Sequence, residues 1–378
     1  MSIPSTHNGR RRFPEMSALA YQHPSDLDAM EAIKKIPIAA SLWRKISETW
    51  LERWHNVSTL GDNLRLGPRQ CPRVYNLFVE AASILDMPMP EIYLDTGHQV
   101  NAFAFGMKKY TVTIYSGLID LMDEEELLAV IGHELSHIKC EHMLYKSMTE
   151  VLGRFGVDML GQVLGVGANL LTLPLLAALA SWSRKAELSC DRAGLLVTQN
   201  PETTARALAK LGGMSSPRWQ DTIDLNEVVK QAEDYEKLDD SIIDKGMLAY
   251  LSWQRSHPYP IYRAKKILDW ARSDDYQRIL SGDYVTHAKA ALMRQGALAC
   301  PRCGYTVTSQ NQFCPGCGQV LAQQVMPPMP PPPMVAPAPV SGPTGLHPRC
   351  TTCSAEVHAD WKFCRSCGTP NAAQARTG

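Results

Sequence analysis

Apolar positions along the first 270 residues recur mostly at helical spacing, interrupted once by a cluster of short alternating runs. From Ser25, with Asp28 as its capping partner, Leu27, Met30, Ile33 and Ile36 predict an amphipathic helix that Pro37 interrupts before a second helical run to Trp54. Residues 73–85 predict another helix, and 91–94, 102–105 and 111–115 predict strands. The best-marked helix lies within 123–148: Asp123 and Glu126 form a capping box over an acidic first turn, and Leu127, Leu128, Val130, Ile131, Leu135 and Ile138 make its buried face. Pro201 opens a helix that Gly212-Gly213 closes, and the mixed charges of 221–245 suit a solvated helical face. Residues 1–24 are polar, carry Arg10-Arg11-Arg12 and show no period, so they are expected to be a disordered N-terminus.

The marked helix carries His133-Glu134-Leu135-Ser136-His137. At 3.6 residues per turn its two histidines share a face and can reach one Zn²⁺, with Glu134 beside them as general base for a zinc-activated water. Zinc then needs a third protein ligand. Glu187 supplies it on a downstream helix, and Asp191, one turn on, is expected to take a ring N–H from a ligand histidine and fix its tautomer.

HExxH followed about fifty residues later by ExxxD resembles the M48 family of zinc metallopeptidases, gluzincins that include the CAAX prenyl proteases and HtpX-like enzymes. The segment from Asn101 to Gly106 resembles the family's NAFA-G strand, 113–118 its next strand, and His257-Pro258 with Arg263 its late HP…R element. The likeness covers roughly 25–270. It implies an edge strand through Asn101, Ala102 and Phe103 that pairs with substrate backbone, although Asn101 also reads as a strand-start turn residue. It implies that His257 and Arg263 lie near the cleft, His257 as a catalytic group for the oxyanion and Arg263 with the substrate.

Between the halves of the zinc site, 159–183 carries no charge, and a run of this length can span a bilayer. A single crossing would put His133 and His137 on the opposite side from Glu187, and 151–182 is too short for two crossings and a turn. A buried helical hairpin is the expectation, with membrane contact through 159–183 as its rival.

Composition adds little to this: 378 residues, 45% hydrophobic, suffice for one enzyme domain with appendages. Lys+Arg and Asp+Glu both number 38, so charge gives no reason to expect a nucleic-acid partner. No apolar run follows the arginines, and a cytoplasmic place is expected, with membrane association left open.

The cysteines change the picture. Eight of the eleven fall in two copies of one pattern, Cys300, Cys303, Cys314, Cys317 and Cys350, Cys353, Cys364, Cys367. Each copy can close a tetrahedral four-cysteine zinc site that folds a segment too short for its own core, and the pattern resembles double zinc-ribbon modules. Between them the uncharged, proline-rich stretch 324–348 reads as an extended linker.

The chain is therefore expected to be α+β: a mostly helical zincin-like metallopeptidase domain over 25–299 with a small sheet, then zinc ribbons at 300–323 and 349–370. Three Zn²⁺ are expected, one catalytic and two structural. The expected substrate is a polypeptide, and the ribbons are targeting or recruiting modules for a protein partner. The alternatives are a non-catalytic ribbon adaptor whose protease-like domain only binds polypeptide, and a membrane-associated HtpX-like quality-control protease.

Overall fold

Of the residues expected to be disordered, the stretch 9–24 is ordered and contributes to the core. In a computed structural model that describes residues 6–7, 9–34, 52–149, 169–213, 222–238, 257, 259–294, 297–299, 302–303, 306–308, 313–320, 349–355, 363–364 and 367–370, β1 (Thr6–His7) pairs with β2 (Arg10–Arg11). Phe13, Met16 and Tyr21 are buried beyond it. Phe13 N–H donates to Ile84 O at 3.0 Å, Ser17 N–H to Val285 O at 3.0 Å, and Arg10 pairs with Glu80 and Glu125. These anchors follow no period, which is why hydrophobic patterning could not register them.

The chain divides into two compact units, Met1–Thr286 and His287–Gly378. In the first, α1 (Pro24–Lys34) and α2 (Glu52–Asp62) precede β3 (Leu64–Arg65) and α3 (Pro72–Ile84). Then come β4 (Glu91–Asp95), β5 (Ala102–Phe105) and β6 (Thr111–Tyr115). The sheet order is β3-β4-β6-β5, with β4 and β6 parallel and β5 antiparallel to β6 in the register Ala102↔Ile114. Thus β5 is an edge strand among the described residues. Its alternation buries Ala102 and Ala104 on one face and turns Phe103 and Phe105 to the other.

After α4 (Ser116–Leu121), α5 (Glu124–Lys139) begins at the predicted capping box: Glu126 N–H donates to Asp123 Oδ1 at 2.8 Å and Asp123 N–H to Glu126 Oε2 at 3.1 Å. Glu126 Oε2 also accepts from Lys210 Nζ at 2.5 Å, a buried pair that ties α7 (Pro201–Gly213) to the start of α5. Between them, α6 (Asn169–Thr198) crosses α5 closely because two glycines face each other. A Cβ on Gly132 would lie 2.9 Å from Val197 Cγ2, and one on Gly194 would lie 2.7 Å from Ala129 O.

Only one arm of the expected hairpin falls among the described residues. Residues 169–183 are the first half of α6, which continues through Pro174 and then carries Glu187 and Asp191. Residues 151–168 lie outside the described residues. Among the described residues, no helix is long and apolar enough to cross a membrane. The unit closes with α8 (Leu225–Leu238), α9 (Pro260–Ala271) and α10 (Asp274–Ser281), of which α9 lends Arg263, Ala264 and Ile267 to the core.

The second unit starts ahead of the expected boundary at 299, because α11 (His287–Arg294) and β7 (Ala297–Ala299) group with the ribbons, β7 pairing with β8 (Thr306–Thr308). Each ribbon repeats one turn. Gly318 N–H donates to Cys314 O at 2.9 Å and Gly368 N–H to Cys364 O at 3.0 Å, with φ of +71° and +73°, the left-handed region glycine adopts without strain. The repeats pack reciprocally: the Phe363 ring covers Gly318 and the Phe313 ring covers Gly368. Cys303, Cys314 and Cys317 converge in one ribbon, and Cys350, Cys353, Cys364 and Cys367 in the other. Cys300 and the linker 324–348 lie outside the described residues.

Candidate active site

The glycine crossing sets the inward face of α5 against the middle of α6. His133, Glu134, His137, Glu187 and Asp191 are all at most 5% exposed. His133 Nε2 lies 3.4 Å from Glu187 Oε2, and His137 Nε2 lies 3.4 Å from Glu187 Oε1. Neither Nε2 has a hydrogen-bond partner among the described residues, although both are shielded from water. Two buried acceptors left without partners carry a cost that an ion between them removes. The spacing fits zinc: donors about 2.0–2.1 Å from a tetrahedral ion stand roughly 3.3–3.4 Å apart.

Asp191 is where its helical register predicted, with Oδ1 2.9 Å from His133 Nδ1. By accepting from Nδ1 it leaves Nε2 free as a ligand atom. Arg263 lies on the cleft lining and is paired with both acids. It is 3% exposed, and its Nε and Nη2 donate to Asp191 Oδ2 and Oδ1 at 2.7 and 2.6 Å while Nη1 stands 2.9 Å from Glu187 Oε2. Its planar fork is spent on the two carboxylates, which a buried pair of acids demands.

The electrostatics follow from this packing. Burial raises the Glu187 and Asp191 carboxyls, but His257 and Arg263 outweigh it at Glu187, and Arg263 and His133 at Asp191, so both are held below the usual carboxylate range. Burial works against a charged His133, yet Glu187 and Asp191 push it up to about 9. His137 is driven well below its usual value by burial and by the Lys146 ammonium.

His257 reaches the site from ahead of α9. Its Nδ1 lies 2.8 Å from Glu187 Oε2 and its Nε2 3.1 Å from Ala102 O and 3.4 Å from Glu134 Oε1. The imidazole thus bridges the carboxylates of Glu187 and Glu134 and the first carbonyl of edge strand β5. A cleft of about 330 Å³ opens there, lined by Asn101, Ala102, His133, Glu134 and His257 on its polar side and by side chains such as Leu208 on its apolar side. Phe103 is not on that wall: strand alternation turns its ring toward Tyr115 and His55.

Sequence reasoning missed two neighbours. His142 Nδ1 stands 3.3 Å from His137 Nδ1, and Lys146 Nζ lies 3.9 Å from Glu134 Oε2. A third histidine five residues past HExxH was the available signal for His142.

A buried two-histidine, one-glutamate cluster with a second glutamate on the wall of a cleft defines a zinc metallopeptidase. The comparisons agree: the family model for peptidase family M48 matches residues 68–271 and that for the double zinc ribbon matches 300–368. The chain belongs to peptidase family M48. It is 31% identical over 272 residues to the plastoglobule-localized metallopeptidase 48, chloroplastic, of Arabidopsis thaliana, covering 71% of this chain and 77% of that protein. A protease HtpX homolog from Desulfatibacillum aliphaticivorans is 30% identical over 174 residues, 40% of this chain and 56% of the relative. One from Streptococcus gordonii is 28% identical over 186 residues, 41% of this chain and 62% of the relative. The chain thus spans little more than half the length of the HtpX relatives.

Proposed function

We propose that the chain is a zinc endopeptidase acting on extended polypeptide segments, with one catalytic zinc on His133, His137 and Glu187 and two structural zincs in the ribbons. The observation that carries this reading is the pair of partnerless, buried Nε2 atoms facing the two oxygens of Glu187, with Glu134 beside them at the cleft. When bound, zinc supplies Lewis-acid activation of water and of the scissile carbonyl. Glu134 takes the proton of the attacking water and returns it to the leaving amine. His257 offers an N–H toward the oxyanion once Nε2 leaves Ala102 O. Asp191 and Arg263 hold His133 and Glu187 in place. The outer edge of β5, which pairs with no further strand among the described residues, offers main-chain partners to an incoming strand, Asn101 and Ala102 lying at its cleft end. Ribbons paired through Phe313 and Phe363 are read as recruiting a protein partner or substrate.

The adaptor alternative has no use for Glu134 at the cleft beside a complete ligand set. The test is hydrolysis of an unfolded protein substrate by the full chain and by Glu134→Gln. The substitution is expected to leave zinc content unchanged and lower the rate at least about 10³-fold, the scale of a lost general base in a metal-assisted reaction. Near-normal turnover would remove Glu134 from the mechanism, and no hydrolysis by the zinc-loaded wild type would favour the adaptor.

A further inference from the structure

His133 and His137 are chemically alike as ligands, yet their outer nitrogens meet different surroundings. His133 Nδ1 meets the carboxylate of Asp191 directly. His137 Nδ1 meets another imidazole, His142, at 3.3 Å, and behind it the buried carboxylate of Asp26, whose Oδ2 lies 3.0 Å from His142 Nε2. We propose that His142, oriented by Asp26, is the positioning residue that fixes the tautomer and ring plane of His137. This rests on the zinc reading above.

The proton count leaves one arrangement. If His137 Nε2 is a ligand atom, its proton sits on Nδ1. The contact with His142 joins two Nδ1 atoms, so one donates and the other accepts; with His137 donating, His142 Nδ1 must be bare. His142 then carries its own proton on Nε2 and donates it to Asp26 Oδ2. Asp26 is built to receive it. Trp182 Nε1–H donates to Oδ1 at 3.0 Å and the Ser189 hydroxyl to Oδ2 at 2.6 Å, so every donor around the carboxylate agrees with a bare, charged Asp26. Asp26, His142 and Ser189 are 0% exposed and Trp182 1%, so no water competes for these bonds. The relay joins α1, the chain just past α5, and α6 at one point. Each zinc-ligand histidine therefore ends on a carboxylate, one directly and one through an intervening ring.

Cys190 Sγ also lies near His142 Nδ1, at 3.7 Å, and His137, His142 and Cys190 together resemble a second metal cluster. An ion there would force His137 to bridge two metals with both nitrogens bare, whereas the relay uses one ordinary tautomer at each ring.

The test pairs two substitutions that split the ring's functions in the full chain. His142→Asn keeps an acceptor where Nδ1 stood. His142→Gln keeps a donor toward Asp26 but leaves His137 Nδ1 without an acceptor. Zinc bound per chain is measured against buffered free zinc, and the absorption of the cobalt-loaded protein is recorded. For His142→Gln, one of the zinc steps is expected to move to about 10–100-fold higher free zinc with altered cobalt bands, while the ribbon steps stay. His142→Asn should recover most of that shift, and Asp26→Asn should give a smaller shift in the same direction. Equal behaviour of the Asn and Gln variants, or wild-type affinity in the Gln variant, would overturn the proposal. His133→Ala separates the two readings: if it too keeps every zinc step, the catalytic zinc site itself is wrong, and if it loses one, only the relay is at stake.

Discussion

The two units hold metal-binding clusters of opposite logic. In the ribbons, the cysteines of a cluster come from knuckles close together in sequence, and the packing seen among the described residues is of the cysteines themselves and the rings of Phe313 and Phe363. In the catalytic unit the proposed ligands are separated by some fifty residues, and each sits on a helix already fixed by a large apolar core. A ribbon is folded by its ion, whereas the catalytic site is assembled first and can then receive one. The outer contacts differ accordingly. Arg263, Asp191 and His142 surround the histidine site, while backbone N–H groups such as that of Gly316, 3.4 Å from Cys314 Sγ, attend the thiols.

That contrast is broken most directly by removing one ligand from each side. His133→Ala is expected to abolish hydrolysis, by at least about 10³-fold, and to lower zinc content by one per chain, while the melting of the catalytic unit changes by only a few degrees. Cys314→Ser should do the reverse: the ribbon transition disappears from calorimetry, and hydrolysis of a short unstructured peptide stays within about twofold of the wild type. A catalytic unit that unfolds when His133 is changed would put both sites in the same class.

A smaller change sharpens the idea that the catalytic cluster depends on helix spacing. The added methyl of Gly194→Ala would meet the Ala129 carbonyl oxygen at 2.7 Å, which the backbone must yield to relieve. The expected destabilisation is about 1–3 kcal/mol with a parallel loss of zinc affinity, measured by urea unfolding and zinc titration. Unchanged zinc affinity at reduced stability would show that the ligands adapt.

A further effect is acid sensitivity of the catalytic unit. His55 is lowered to about 4 by burial, and His23 to about 4 by burial and the nearby Arg192 cation. Both are neutral when folded, and the unfolded chain binds more protons between about pH 4 and 6.5. Their contribution is therefore complete above about pH 6.5 and is lost as pH falls toward 4, by roughly 2 kcal/mol each once solvent screening is allowed for. Urea midpoints between pH 7.5 and 4.5 should drop for the wild type and drop less for His55→Asn.

Much of this architecture was legible from periodicity. The strands at 91–95, 102–105 and 111–115 and the capped helix at 124–139 fall where alternation and capping predicted, because each buries one face at its own period. The positions of His133, His137, Glu187 and Asp191 on facing helices followed from i, i+4 spacing. What was not legible depends on partners distant in sequence. Arg263 could not be assigned to Asp191 across 72 residues, nor Asp26 to His142 across 116, since neither pair leaves a local pattern. Phe13, Met16 and Tyr21 were passed over for the same reason: they are buried one at a time against surfaces made elsewhere. The apolar run before Glu187 is helical over its described part, 169–183, and the remainder of the expected hairpin lies outside the described residues.

The contact of Gly132 with Gly194 acts as a length standard for the metal site. Metal–ligand bonds tolerate errors of only about 0.2 Å, whereas long side chains on separate helices drift by more than that as their backbones shift. At the crossing neither glycine puts a side chain between the helices, and there is no room for one: a Cβ on Gly194 would press on the Ala129 carbonyl and one on Gly132 on Val197. The tolerance of the zinc site is thus held beside its ligands rather than by them, through the absence of two methyl groups.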